Sequence, residues 1–104
     1  MMSEETMAAT AEMSTRIRGA KTVVEIQAQN IDYRNSEALK SSIGNIVASG
    51  SNNLVLNLVN VSFMDSTGLS VLLFAKRSCD EAGGNFSLCH LQQYINNLVQ
   101  LTNL

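Results

Sequence analysis

The stretch Leu54-Val55-Leu56-Asn57-Leu58-Val59-Asn60-Val61-Ser62-Phe63-Met64-Asp65-Ser66-Thr67-Gly68-Leu69 decides how the rest of the chain is arranged. In an extended backbone Leu54, Leu56 and Leu58 face one side and Val55, Val59 and Val61 the other, with Asn57 the one polar interruption. A strand apolar on both faces belongs in the middle of a covered sheet. After Asp65 the period of two gives way to apolar residues three and four apart, which predicts a helix from Ser66 to Ala82 closed by Gly83 and Gly84. A buried strand that feeds a helix is the repeating step of a layered α/β domain.

The flanking segments extend that pattern. Val24, Ile26 and Ala28 alternate with Glu25, Gln27 and Gln29, predicting a strand over Thr22 to Ala28 with one wet face. Ser14 to Ile17 adds a short first strand, with a turn at Gly19 before Lys21. Asn35 and Ser36 suit a helix start, and Leu39, Ile43, Ile46 and Val47 fill one arc of a helix ending near Gly50. Asn85 to Leu91 reads as a strand, and Tyr94, Ile95, Leu98, Leu101 and Thr102 as a third helix. Met1 to Met13 has no sustained apolar period and reads as a flexible arm, leaving residues 14–104 as one α/β domain whose sheet contains parallel pairs.

Composition narrows the function. A chain of 104 residues and 11.3 kDa suits a single domain, and 45% apolar against 15% charged residues is a globular composition. Seven basic and nine acidic residues give a net charge of −2 without a Lys/Arg block, so nucleic acid is not an expected partner. No apolar run approaches the roughly 18–20 residues of a membrane span, and Glu4 and Glu5 stand where a signal peptide would be basic; the expected address is the cytoplasm. Cys79 and Cys89 belong to no metal spacing and read as small buried hydrophobes. Asp65, Ser66 and His90 include the residue types of a hydrolytic triad, but no G-x-S-x-G elbow is present, and His90 reads as a strand-end residue. Gly83-Gly84 lies in no phosphate-loop pattern. Neither a catalytic residue nor a metal or cofactor is expected.

The chemistry concentrates at the start of the second helix. Asp65 and Ser66 can cap its unpaired N–H groups, which together with the helix dipole also favour a phosphate. Gly68 leaves the turn without a Cβ, open to a partner. At about 100° per residue, Val71, Leu72, Ala75, Cys79 and Ala82 form the core stripe. Ser66, Leu69, Leu73, Lys76, Arg77 and Asp80 lie opposite. Two leucines among charges beside a capping serine point to an exposed contact patch.

Asn57-Leu58 followed by Val61-Ser62-Phe63-Met64-Asp65-Ser66-Thr67-Gly68-Leu69 closely resembles the motif of STAS domains, specifically bacterial anti-sigma factor antagonists. The resemblance runs from about Lys21 to Leu104 and includes Ile31-Asp32, where the family usually has Leu-Asp. It implies a mixed sheet with helices packed on one side. It places the phosphorylation site on Ser66, with Thr67 in support and Asp32 and Asp65 near the kinase contact. With Gly68, Leu69, Leu73 and Arg77 these residues make the expected partner-binding set.

The implied function is partner switching. The unphosphorylated form binds an anti-sigma factor that is also a serine kinase of the histidine-kinase-like ATPase fold, and so releases that factor's target. Phosphorylation blocks binding and a PP2C-type phosphatase restores it. The alternative is an adaptor subunit of a lipid-transport ATPase or a signalling scaffold, a role STAS-like domains also fill. Gln29 and Asn30 replace a common family glycine, and Ser70 replaces another. The chain also stops at Leu104, before the further strand and helix of typical members. That short end implies an open sheet edge, a third helix held by Ile95, Leu98 and Leu101, and self-association at high concentration.

Overall fold

The computed structural model describes residues 13–102. In chain order these form β1 (Met13–Arg18), β2 (Lys21–Ile26), β3 (Asn30–Ile31), α1 (Ser36–Ala48), β4 (Asn53–Asn57), β5 (Phe63–Met64), α2 (Ser66–Glu81), β6 (Asn85–Cys89) and α3 (Gln93–Leu101). The expected arm lies outside the described residues except for Met13, which is instead the buried first residue of β1, paired with Ile26.

The main sheet has the order β1-β2-β4-β6, with β1 antiparallel to β2 and the remaining pairs parallel. Gly19 adopts the positive φ of 61° that the tight β1–β2 turn demands. Inward-facing Val24, Ile26, Leu54 and Leu56 pack with Leu39, Ile43 and Val47 of α1 and with Val71, Leu72, Ala75 and Cys79 of α2. Gly83, at φ 78°, ends α2, and the Gly84 amide donates back to the Cys79 carbonyl at 2.8 Å. The expected core stripe holds except at Ala82, which is exposed beyond the last helical turn. In α3, Ile95 and Val99 are buried, whereas Leu101 is 82% exposed and does not hold the helix.

The central position predicted for β4 is observed, but two-sided coverage is not. β4 ends at Asn57, so Val59 falls in an exposed turn and Val61 turns back into the core; neither extends an outer strand face. Register places Ser14, Glu25, Asn57 and Cys89 in one outer row and Arg16, Val23, Val55 and Ser87 in the next. Among the described residues this outer face is open, with a shallow cavity of about 340 Å³ bordered by Arg16, Arg18, Glu25 and His90. Cys89 is therefore half-buried on the open face, while Cys79 is fully buried. β1 and β6 are the edge strands among the described residues.

Candidate functional site

The site rests on a second, two-stranded sheet. β3 and β5 run parallel with Asn30 opposite Phe63 and Ile31 opposite Met64, so the next residues, Asp32 and Asp65, emerge side by side. Each starts a helix by a different route. Asp65 is the N-cap of α2: its Oδ1 accepts from the Gly68 amide at 3.0 Å and the Thr67 hydroxyl at 2.6 Å. Asp32 instead receives the Asn35 and Ser36 amides on its carbonyl at 3.2 and 2.9 Å, which turns the chain into α1. Asn35 does not cap α1 with its side chain; its Oδ1 accepts from the Asp32 amide at 3.0 Å and its Nδ2 donates to the Asn30 carbonyl at 2.8 Å.

Both carboxyls are held below their usual pKa. The Thr67 hydroxyl and then the Gly68 amide do this for Asp65, against the weaker upward pull of desolvation and, last, of the like charge on Asp32. At Asp32 the main cause is Arg34, whose Nη2 donates to Oδ2 at 2.7 Å and Nε to Oδ1 at 3.2 Å, while the Arg34 amide donates to Oδ1 at 3.0 Å. Folding therefore favours the ionised form of each. Their contribution to stability is complete above the unfolded value near 3.8 and is lost as pH falls through the lower folded values. We expect the melting temperature to drop below about pH 4, with a shallower drop in Asp65→Asn, measured by thermal melts from pH 6 to pH 2.

The hydroxyls of the motif are not equivalent. Thr67 donates to Asp65, and Ser70 folds back onto the Thr67 carbonyl at 2.5 Å. Ser66, the first residue of α2, is exposed and its hydroxyl has no hydrogen-bond partner among the described residues. Gly68 corrects the expectation of partner access: it is buried, and a Cβ there would overlap the Ile31 carbonyl oxygen. Its small size lets β3 lie against the first turn of α2.

Leu69 is half-buried against the core, Leu73 is exposed, and Arg77 is exposed beyond them. Lys76 is tied to Asp80 at 3.1 Å. The structure adds two exposed aromatics that periodicity did not single out, Tyr33 beside Asp32 and Phe63, and it turns Tyr94, the first residue of the α3 repeat, outward to stack on Phe63 at a ring separation of 6.2 Å. Arg34 was missed as well, although Asp32 and Arg34 two residues apart in a polar turn are the usual sequence sign of a side-chain-to-backbone turn. Among the described residues no acid, His and Cys cluster could hold a metal ion, and no helix is long and apolar enough to cross a membrane.

With this geometry in view, comparison with known proteins is decisive about family. Residues 11–104 match the STAS domain. The chain belongs to the STAS domain family. This STAS domain is 33% identical over 51 residues to an anti-sigma F factor antagonist of Paenibacillus polymyxa, a match spanning 49% of this chain and 44% of that relative. An anti-sigma factor antagonist from Mycobacterium paratuberculosis is 25% identical, with 88% of this chain and 76% of the other covered and a TM-score of 0.76. The Bacillus cell fate determinant SpoIIAA shares the fold at 19% identity. Its unphosphorylated form gives a TM-score of 0.70, covering 86% of this chain and 82% of SpoIIAA, and its phosphorylated form 0.72, covering 88% and 84%.

Proposed function

We propose that this STAS domain is a non-catalytic, phosphorylation-controlled anti-sigma factor antagonist. Unphosphorylated, it binds an anti-sigma factor that is also a serine kinase of the histidine-kinase-like ATPase fold, and frees that factor's target. The observation that carries the reading is the unengaged Ser66 hydroxyl, exposed at a helix start beside two ionised carboxylates. Leu73, Tyr33 and the Phe63–Tyr94 pair supply exposed apolar surface for a protein partner. The anti-sigma antagonist relatives, one of them known in both phosphorylation states, support the same reading.

In the modification the Ser66 Oγ attacks the γ-phosphorus of kinase-bound ATP, ADP leaves, and the hydroxyl proton passes to a base on the kinase. Two donors of the α2 start are already engaged by Asp65, so the new phosphate stays at the surface, adding a charge of about −1.5 to −2 beside two acids. Burying it against the partner costs roughly 2–3 kcal/mol, a loss of about 30- to 150-fold in affinity. A PP2C-type phosphatase reverses the step by hydrolysis.

Incubation with ATP and the kinase, followed by mass spectrometric mapping, tests the assignment. Ser66→Ala should abolish the modification; phosphate found mainly on Thr67 in the unmutated domain would overturn it. Ser66→Glu should keep the melting temperature, because a carboxylate suits a helix start, yet weaken kinase binding at least tenfold, or about 1.4 kcal/mol. Unchanged affinity would refute the switch.

A further inference from the structure

The outer face of the main sheet, turned away from α1 and α2, gathers positive charge at one end. Arg16 and Arg18 project onto it from β1, and the register sets Lys21 directly across from Arg18. Like charges on directly opposed residues repel. Among the described residues none of the three has an ion-pair partner; the pairs that do form are Arg34 with Asp32, Lys40 with Glu37 and Lys76 with Asp80. The acid of this face, Glu25, stands two rows from Lys21 and accepts from Asn60 Nδ2 at 2.9 Å. Between the cations and Glu25, half-buried Val23 and Val55 form an apolar floor in the cavity of about 340 Å³.

The counter-charge is in the same chain. Residues 13–102 hold all seven basic residues and six of the nine acids, a net charge of +1, whereas residues 1–12 hold Glu4, Glu5 and Glu12 with no Lys or Arg, a side-chain charge of −3. That stretch leads straight into β1, whose second residue, Ser14, borders the cavity. Its length is sufficient. Glu5 precedes Met13 by eight positions, a reach of about 26 Å when extended, and Arg18 lies about 17 Å from Met13 along β1, which leaves enough chain for a turn back over the face. Met7 then falls level with Arg16 and Val23. A tether this short gives an effective concentration on the order of millimolar, so individually weak exposed ion pairs suffice to hold it.

We propose that the outer face of the sheet is the docking surface for residues 1–12 of the same chain, with Glu4 and Glu5 against Arg18 and Lys21 and the Met7 side chain over Val23 and Val55. The acids relieve the repulsion between the opposed cations, and Met7 takes the apolar floor out of water. This face is on the side of the sheet away from the helices, so the proposal stands apart from the role given to Ser66. The docked segment closes the open side of the sheet to other proteins and leaves the start of α2 free.

The test is NMR on the full chain, with no kinase present. NOEs are expected from the Met7 methyl to the Val23 and Val55 methyls. Glu4→Gln combined with Glu5→Gln should cut their intensity by about half or more and shift the Arg18 Nε–Hε resonance. Arg18→Glu combined with Lys21→Glu should remove them, and adding Glu4→Lys with Glu5→Lys should bring them back, because the pairs are rebuilt with their signs exchanged. Should the chain with Arg18→Glu and Lys21→Glu fail to fold, the glutamine variant decides. Val23 and Val55 methyls without an NOE to any of residues 1–12, or NOEs unchanged in the glutamine variant, would overturn the proposal. So would NOEs found only between copies in a mixture of labelled and unlabelled chains, which would give the face to a second molecule.

Discussion

Leu72→Ala is expected to cost about 2–5 kcal/mol of stability, and Leu73→Ala, its neighbour on α2, less than about 1 kcal/mol. Leu72 is 0% exposed and packs in the core with Val71 and Ala75, whereas Leu73 is 44% exposed on the face that carries Ser66. Removing Leu72 leaves a cavity among atoms that cannot close over it. A domain of this size has only about 5–15 kcal/mol in total, so the loss would be visible as a large fall in the urea midpoint. The functional effects should be reversed: at a temperature where both variants are folded, Leu73→Ala weakens kinase binding and Leu72→Ala does so far less. Equal urea midpoints would show that the helix is rotated from the phase described. Unchanged kinase affinity of Leu73→Ala would remove that side chain from the partner surface.

Gly68→Ala should be the most damaging single-methyl change at the site. The added carbon would overlap the Ile31 carbonyl and crowd Met64 Cγ at 2.5 Å, so either β3 moves off or α2 slides. A rigid backbone atom is the obstacle, which places the cost at about 3 kcal/mol, the upper part of the range for overpacking. Either movement also separates Asp32 from Asp65, because the Ile31–Met64 register is what sets them side by side. The expected result is a lowered melting temperature together with faster hydrogen exchange at the Asp65 amide, which bonds to Ile31. An unchanged melting temperature would mean that β3 does not bear on the helix.

Most of the fold could be read from spacing because the elements are amphipathic and long enough to show a period. The phase of α2 is the clearest case: Val71, Leu72, Ala75 and Cys79 turn inward as their spacing requires. β4 misled for a physical reason. Alternation assigns residues to faces only while the backbone stays extended, and the chain leaves the strand at Asn57, so Val59 and Val61 carried no information about the outer face. β3 and β5, two residues each, are too short to have a period and exist by pairing across the fold. The site was legible in part. Asp65 as a cap and Ser66 at the first helical position follow from local chemistry, but the burial of Gly68 and the placement of Asp32 beside Asp65 depend on that long-range pairing. Leu101 was misplaced because helical spacing marks a face without saying how far along the helix the core extends.

With Ser66 as the proposed phosphoacceptor, the pairing of Ile31 with Met64 also sets what kind of target the chain would offer to a kinase. A linear recognition site survives in an unfolded chain or an excised peptide; this one does not. Asp32 is brought beside Asp65, the neighbour of Ser66, only after α1 and β4 have been laid down between them, and closing a loop of that length carries an entropic cost that only a packed domain offsets. A kinase that reads both residues would leave nascent, misfolded and proteolysed copies unmodified. Modification would then report on the folded pool alone, and the switch would count working molecules rather than total protein.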